Sequence, residues 1–269
     1  LGDADPIRRA QWLWMRASGS PLDASTWLDL RQLEENANLP QEMRSPLRVL
    51  QARWLMHHGM PGRALGLVAE TVAELQRVYP TLPLEEQAAV SHQILDFLLM
   101  RFRCERKLQF LLDWALWLGD HLGRQPELTK GMELDEVAEW LQQAAQPDQE
   151  RFAQIWLAIL AEHSDLPEEL FALVPDCARC LRLDDFDSST WISLIDIMDK
   201  RAADESLTRL SWEGKTLQHF LSLERAEIGK NPDLEMALFE CMRRWAELPP
   251  HRLALADLSA DSLHQWLGG

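Results

Sequence analysis

Apolar residues recur along most of this chain at spacings of three and four, which is the periodicity of an amphipathic α-helix. In the first segment Ile7, Ala10 and Leu13 carry this pattern, after an Asp5-Pro6 helix-start signal. Breaks rich in proline and glycine, such as residues 59–62, separate the segments, and no stretch alternates convincingly with a period of two. The pattern predicts an all-α protein of about thirteen helices joined by short loops.

The bounds of three predicted helices depend on local start and stop signals. We expect Ser45-Pro46 to open the third helix, because proline is favoured in the first helical turn. One continuous helix is predicted from Pro167 to Arg182, and a short last helix over Ser259–Leu267.

Successive helices are predicted to pair as antiparallel hairpins that stack on one another. Trp12 and Trp54 stand 42 residues apart in the first two hairpins, and the breaks at Gly59 and Cys104 stand 45 residues apart. Periods near 40–45 residues are typical of helix-pair repeats. The expected fold is therefore a stack of helix pairs, an α-α superhelix.

The stretch 47–80 resembles one unit of the tetratricopeptide family of helical-hairpin repeats. Leu55 precedes the turn, and Gly59 closes the first helix. Ala64 follows five residues later, where the family keeps a small residue, and Pro80 falls near the family's terminal proline. The resemblance implies a concave surface that grips another polypeptide rather than an enzyme active site.

Charge divides the 269-residue chain into three regions. The net charge is −16, and residues 132–190 alone hold 14 acidic and 3 basic side chains. Residues 1–131 carry a net charge of −1 and residues 191–269 a net charge of −4. We predict a helical-repeat-like region over 1–131, an acidic helical region over 132–190 and a C-terminal helical region over 191–269, with soft boundaries and one continuous domain as the alternative.

The acidic balance favours a protein partner and disfavours nucleic acid, whose binding needs a basic face to replace counterions. An acidic surface attracts a partner with a basic surface. The sequence holds no stretch of about 20 apolar residues for a membrane span, and its four cysteines are sparse enough for a reducing compartment, so we expect a cytoplasmic protein. The candidate partner-binding acids are Glu133, Asp135, Glu136 and Glu139.

Tryptophan supplies a second set of candidates, with twelve residues against one tyrosine. Trp12 and Trp14, like Trp114 and Trp117, are too close in sequence for every ring to face one helical core. We expect Trp14 and Trp117 to point outward and to act as hot spots for a partner.

Catalytic and metal-binding motifs are missing from the sequence, which contains no GxSxG, P-loop or HExxH pattern. Cys177 and Cys180 form a single CxxC that we expect on a helix face, since zinc would need two further ligands. His92 and Asp96 lie four residues apart and are able to touch on a helix. We therefore expect no cofactor, no metal and no enzyme activity.

These features predict a non-enzymatic protein-protein interaction module, a bacterial-type adaptor, regulator or chaperone-like scaffold. One alternative is an acidic inhibitor or immunity-type protein that covers a basic toxin or nuclease. Another is a regulator of a secretion system, because type III gatekeepers are also cytoplasmic, helical and acidic, although no residue motif of theirs is present. A helical enzyme with a site built from distant residues is the last alternative.

Overall fold

The all-α class that the periodicity predicts is confirmed by a computed structural model of the chain. The structure describes residues 5–17, 24–39, 41–125, 128, 134–163, 166–181, 188–204, 207–208, 212–222, 228, 230–246 and 253–254. Within these residues there are thirteen α-helices, one 3₁₀ turn and a single pair of two-residue strands. The described chain divides into two compact units, Leu1–His121 and Leu122–Gly269.

Unit 1 consists of six helices and one 3₁₀ turn, which follow one another through short connections. The helices are α1 Pro6–Ala17, α2 Ala24–Glu34, α3 Gln41–His57, α4 Pro61–Val78, α5 Leu84–Glu105 and α6 Leu108–Leu122, the last of which ends at the boundary between the units; the 3₁₀ turn is Tyr79–Thr81. Gly59, with φ of 69°, closes α3 and turns the chain into α4.

Unit 2 contains shorter helices and the strand pair. The helices are α7 Asp135–Gln143, α8 Gln146–Ala161, α9 Glu168–Phe171, α10 Val174–Cys180, α11 Ser188–Asp204, α12 Trp212–Ser222 and α13 Pro232–Ala246. The strands β1 Leu207–Thr208 and β2 Leu253–Ala254 pair in parallel. Trp156, Trp191 and Trp245 are each at most 1% exposed, so tryptophan fills much of this core.

In unit 1, α1, α2 and α3 share one hydrophobic cluster. The cluster contains Ala10, Leu13, Leu30, Leu33, Leu39, Leu47 and Leu50, and Met43 packs against it. Polar contacts add to this packing, because Arg48 of α3 donates to Glu34 of α2 at 3.1 Å and to Glu74 of α4 at 2.7 Å. One guanidinium therefore connects three helices of the unit.

Two predicted helix boundaries differ from the structure. Helix α3 begins at Gln41, so Pro46 lies inside it and not at its start. Pro46 is the sixth residue of α3, so its missing amide leaves the carbonyl of Glu42 without a helical donor, and packing of Met43 against the core cluster offsets this cost. The helix predicted from Pro167 is broken into α9 and α10, since Pro175 has no amide to continue the first helix. The helix predicted over 259–267 lies outside the described residues.

The structure divides the chain between residues 121 and 122, which lie inside the region predicted over 1–131. The division into 1–131, 132–190 and 191–269 by charge stays a prediction. In the described part of the chain, no helix combines the length and the hydropathy needed to cross a bilayer.

Candidate functional site: a groove on unit 1

A groove with a volume of about 540 Å³ opens on unit 1, and α3 forms its floor. Helix α3 packs against both α1 and α5, so it lies between them. Its contribution is apolar: Met43, Pro46, Leu47 and Val49. Leu47 and Val49 are 1% and 6% exposed, and the core cluster holds Leu47 from behind, so the floor is well supported.

The two walls of the groove differ in chemistry. Helix α1 supplies Ala10, Gln11 and Met15, and helix α5 supplies Gln93 and Asp96. Gln11 and Met15 lie one helical turn apart, as do Gln93 and Asp96, so each pair projects from one face of its helix. The α5 wall is therefore polar, while the floor and most of the α1 wall are apolar.

The lining residues that the structure describes belong to the first helices of three successive hairpins. Arg9 of α1 pairs with Asp29 of α2, and Arg101 of α5 pairs with Asp113 of α6 at 3.6 Å, as antiparallel neighbours do. Glu34 and Trp27 of α2 contact Arg48 and Trp54 of α3 in reverse order, and short turns join the closely packed pairs α3–α4 and α4–α5, so α1, α3 and α5 run in the same direction side by side. Stacked helix pairs form extended concave binding surfaces in this way.

Asp96 is the charged group of the groove. Desolvation by the surrounding walls raises the pKa of its carboxyl, although the side chain remains accessible from the open side of the groove. The positive charges of His92, Arg53 and Arg103 act in the opposite direction without cancelling the effect. The carboxylate makes no hydrogen bond or ion pair with another described residue, and its interaction with His92, which the spacing of the two residues allows, is electrostatic.

The outer edge of the α1 wall is exposed and hydrophobic. Met15 is 67% exposed and Trp12 is 48% exposed, three residues apart on neighbouring positions of the helix. Met15 and Met43 give the groove two unbranched, adaptable side chains, which suit a surface that has to fit a partner. These residues form an apolar edge beside the groove.

The predicted hot spots are placed differently from one another. Trp117 is half-buried: its Nε1 donates to Ser91 Oγ at 3.0 Å, and its ring stacks on His121 with centroids 4.3 Å apart. Trp114, its neighbour in the predicted pair, is 1% exposed. The side chain of Trp14 lies outside the described residues, whereas Trp12 is exposed. A partner-binding role for Trp14 and Trp117 stays a prediction.

The predicted acids that the structure describes lie on α7, in unit 2. Asp135 and Glu139 are exposed one turn apart, and Glu136 is half-buried. The opposite face of α7 buries Val137, Trp140 and Leu141. Glu133 lies outside the described residues. The acids thus follow the amphipathic pattern of their helix, and their binding to a partner stays a prediction.

Other candidate chemistry is dispersed. Cys177 and Cys180 both lie on α10, where burial raises the pKa of each thiol and opposes formation of the thiolate. A second hollow of about 250 Å³ in unit 2 is lined by Glu168, Trp212 and Lys215, among others. Among the described residues no three His, Cys, Asp or Glu side chains converge in a geometry that would hold a metal ion.

Sequence reasoning missed the lining of the groove except for Asp96, which it considered only as a partner of His92. Gln11, Gln93 and the two methionines have no chemical motif, and Met15 occupies a helix position that the periodicity assigns to neither core nor site. The available signal was an apolar residue on the outer face of α1, since Met15 lies away from Ala10 and Leu13 in the helical pattern.

No protein-family model, curated protein or solved structure matches this chain.

Proposed function

We propose that the protein is a non-enzymatic interaction module that binds a segment of another polypeptide in the groove of unit 1. The observation that carries this proposal is the composition of the groove, which has a packed apolar floor on α3 and an exposed hydrophobic edge on α1. A concave, mostly apolar surface with a few polar groups is the usual form of a binding site. The tetratricopeptide resemblance of residues 47–80 supports the same reading.

The cellular role that fits such a module is that of an adaptor, regulator or chaperone-like scaffold in the cytoplasm. The acidic region of unit 2 would favour partners with a basic surface through long-range attraction. An inhibitor that uses this acidic region would differ in one respect: its binding would depend on Asp135 and Glu139 rather than on the groove.

Site-specific photo-crosslinking tests the proposal. A benzophenone amino acid replaces Met15 at the edge of the groove, and the same amino acid replaces Met236 of α13 as a matched control, since the two side chains are 67% and 61% exposed. In cells that produce the protein, irradiation is expected to attach a discrete polypeptide at position 15 and none at position 236.

A second variant connects the crosslink to the groove itself. Gln93→Trp adds a large side chain to the α5 wall and is expected to remove the crosslink at position 15 while the circular dichroism spectrum stays unchanged. Equal crosslinking at positions 15 and 236, or a crosslink that survives Gln93→Trp, would count against binding in the groove.

A further inference from the structure

We propose that the segment bound in the groove is an amphipathic α-helix, which packs its apolar face on α3 and presents an uncharged hydrogen-bond donor to Asp96. This inference rests on the proposed function, because it names the kind of polypeptide that the same groove takes. Three properties of the groove lead to it: the direction of its helices, the scarcity of polar lining groups and the unpartnered carboxylate.

The direction of the helices suits a helical occupant. Helices α1 and α5 flank α3 and run in the same direction, so the groove is a trough parallel to its walls. Another helix laid in this trough makes ordinary helix-helix packing, with the axes about 8–10 Å apart. Apolar side chains one turn apart on the incoming helix would then contact Met43 and Pro46, which lie one turn apart on the floor and are partly exposed.

The scarcity of polar groups disfavours an extended peptide. An extended segment brings an unpaired amide or carbonyl at each residue, and burying such a group without a partner costs free energy. Among the lining residues that the structure describes, the polar ones are Gln11 on the α1 wall and Gln93 and Asp96 on the α5 wall. A helix satisfies its own backbone and requires no such partners from the groove.

The carboxylate of Asp96 sets the chemistry at the border of the incoming helix. It has no hydrogen-bond donor among the described residues, and it lies beside a surface that the partner would cover. Covering it without a donor would leave a desolvated charge, so the partner has to supply one. Arg53 and Arg103 already place positive charge near Asp96, so an additional cation would be repelled and an uncharged donor such as an amide is favoured.

The test uses designed probes with the full chain. The probes are fluorescein-labelled 18-residue peptides with leucine along one helical face and glutamine, leucine or lysine at the border position, and fluorescence anisotropy gives their dissociation constants. The glutamine peptide is expected to bind about tenfold more tightly than the leucine peptide, as one hydrogen bond to a charged group implies. A peptide with two central prolines is expected not to bind.

Variants of the chain assign this preference to Asp96. In Asp96→Leu the preference for glutamine over leucine is expected to disappear, and Asp96→Asn, which keeps an acceptor, is expected to retain part of it. Asp120→Leu on α6 is the control, because it removes an exposed carboxylate that does not line the groove. The control is expected to bind every peptide as the natural chain does.

Several outcomes would overturn the inference while leaving the proposed function in place. Tighter binding of the lysine peptide that vanishes at high salt would show a charged partner, and equal binding of the proline peptide would show that no helix is needed. Dimerisation of the natural chain that Met15→Glu abolishes would make the occupant a second copy. If no peptide binds, the inference is wrong; if position 15 also yields no crosslink, the proposed function is wrong too.

Discussion

Replacement of Arg48 by alanine is expected to lower the free energy of unfolding of unit 1 by about 2–3 kcal/mol at neutral pH. Nε of Arg48 donates to Glu34 at 3.1 Å, and one Nη donates to Glu74 at 2.7 Å. Gln51 donates to the other oxygen of Glu34 at 3.0 Å. Arg48→Ala leaves both carboxylates without this cation and loosens α2 and α4 from α3.

The magnitude follows from the burial of the three side chains. Arg48 is 22% exposed, Glu34 is 15% exposed and Glu74 is 33% exposed. Removing one partner of a buried ion pair costs about 3–5 kcal/mol, whereas an exposed pair contributes less than about 1 kcal/mol. The intermediate burial of this network places the expected loss between those limits.

The effect is expected to depend on pH through Glu34. Burial raises the pKa of Glu34, but the hydrogen bonds from Gln51 and Arg48 outweigh burial, and the pKa is lowered from its ordinary 4.5. Glu34 therefore binds a proton at a higher pH in the unfolded chain than in the folded chain. Its contribution to the free energy of unfolding is complete when the pH is above the ordinary pKa of a glutamate. It is lost as the pH falls through the lowered value in the folded state, and the effect of Arg48→Ala shrinks with it.

Urea titrations followed by circular dichroism measure this loss, with hydrogen exchange to assign it to α2, α3 and α4. The midpoint is expected to shift by about 1 M urea at neutral pH. Arg31→Ala is the matched control, since Arg31 also contacts Glu34, at 3.4 Å, but is 49% exposed. Equal losses for the two variants, or a loss for Arg48→Ala that persists in acid, would refute the reasoning.

Two further predictions concern the turn after α3 and the thiols. Gly59→Ala is expected to destabilise the protein by about 1 kcal/mol because φ there is +69°, while Gly66→Ala, inside α4 with open space around the new methyl group, is expected to stabilise it by about 0.5–1 kcal/mol. Thermal unfolding compares the two glycine variants, and shifts of the melting temperature in the same direction would contradict the role of the positive φ at Gly59. Half-buried thiols are expected to react with an aromatic disulfide reagent in the folded protein, whereas buried thiols are expected to react only after unfolding. Simultaneous modification of both kinds of thiol, read by mass spectrometry, would contradict the described burial. The half-buried thiols are Cys104 and Cys180, and the buried thiols are Cys177 and Cys241.

The boundaries of the helices show where local reasoning ends. Proline is a reliable break at Pro61, where it opens α4, because the missing amide falls among those that have no acceptor. The same residue type is misleading at Pro46, since packing of Met43 on the core offsets one lost hydrogen bond inside α3. The local sequence indicates that a proline inside a helix is unfavourable, but it does not indicate which tertiary contacts offset that cost.

The candidate functional residues also show what local sequence indicates and what only tertiary contacts determine. Periodicity indicates that Trp114 and Trp117 cannot share one core equally, and the two do differ in burial. It does not indicate that Ser91, from another helix, would accept a hydrogen bond from Trp117. A side chain that looks unpartnered within its own helix can find its partner on the next one.

The sequence by itself determined the helical class and the concentration of acid in residues 132–190. Both follow from patterns within one or a few helical turns, or from counting charges. Only the tertiary structure decided that residues near positions 10, 46 and 96 would form one groove and that Asp96 would lie in it without a hydrogen bond to any described residue. The reason is that the register between hairpins depends on how side chains of different helices fit together, and that fit is absent from the spacing within any one of them.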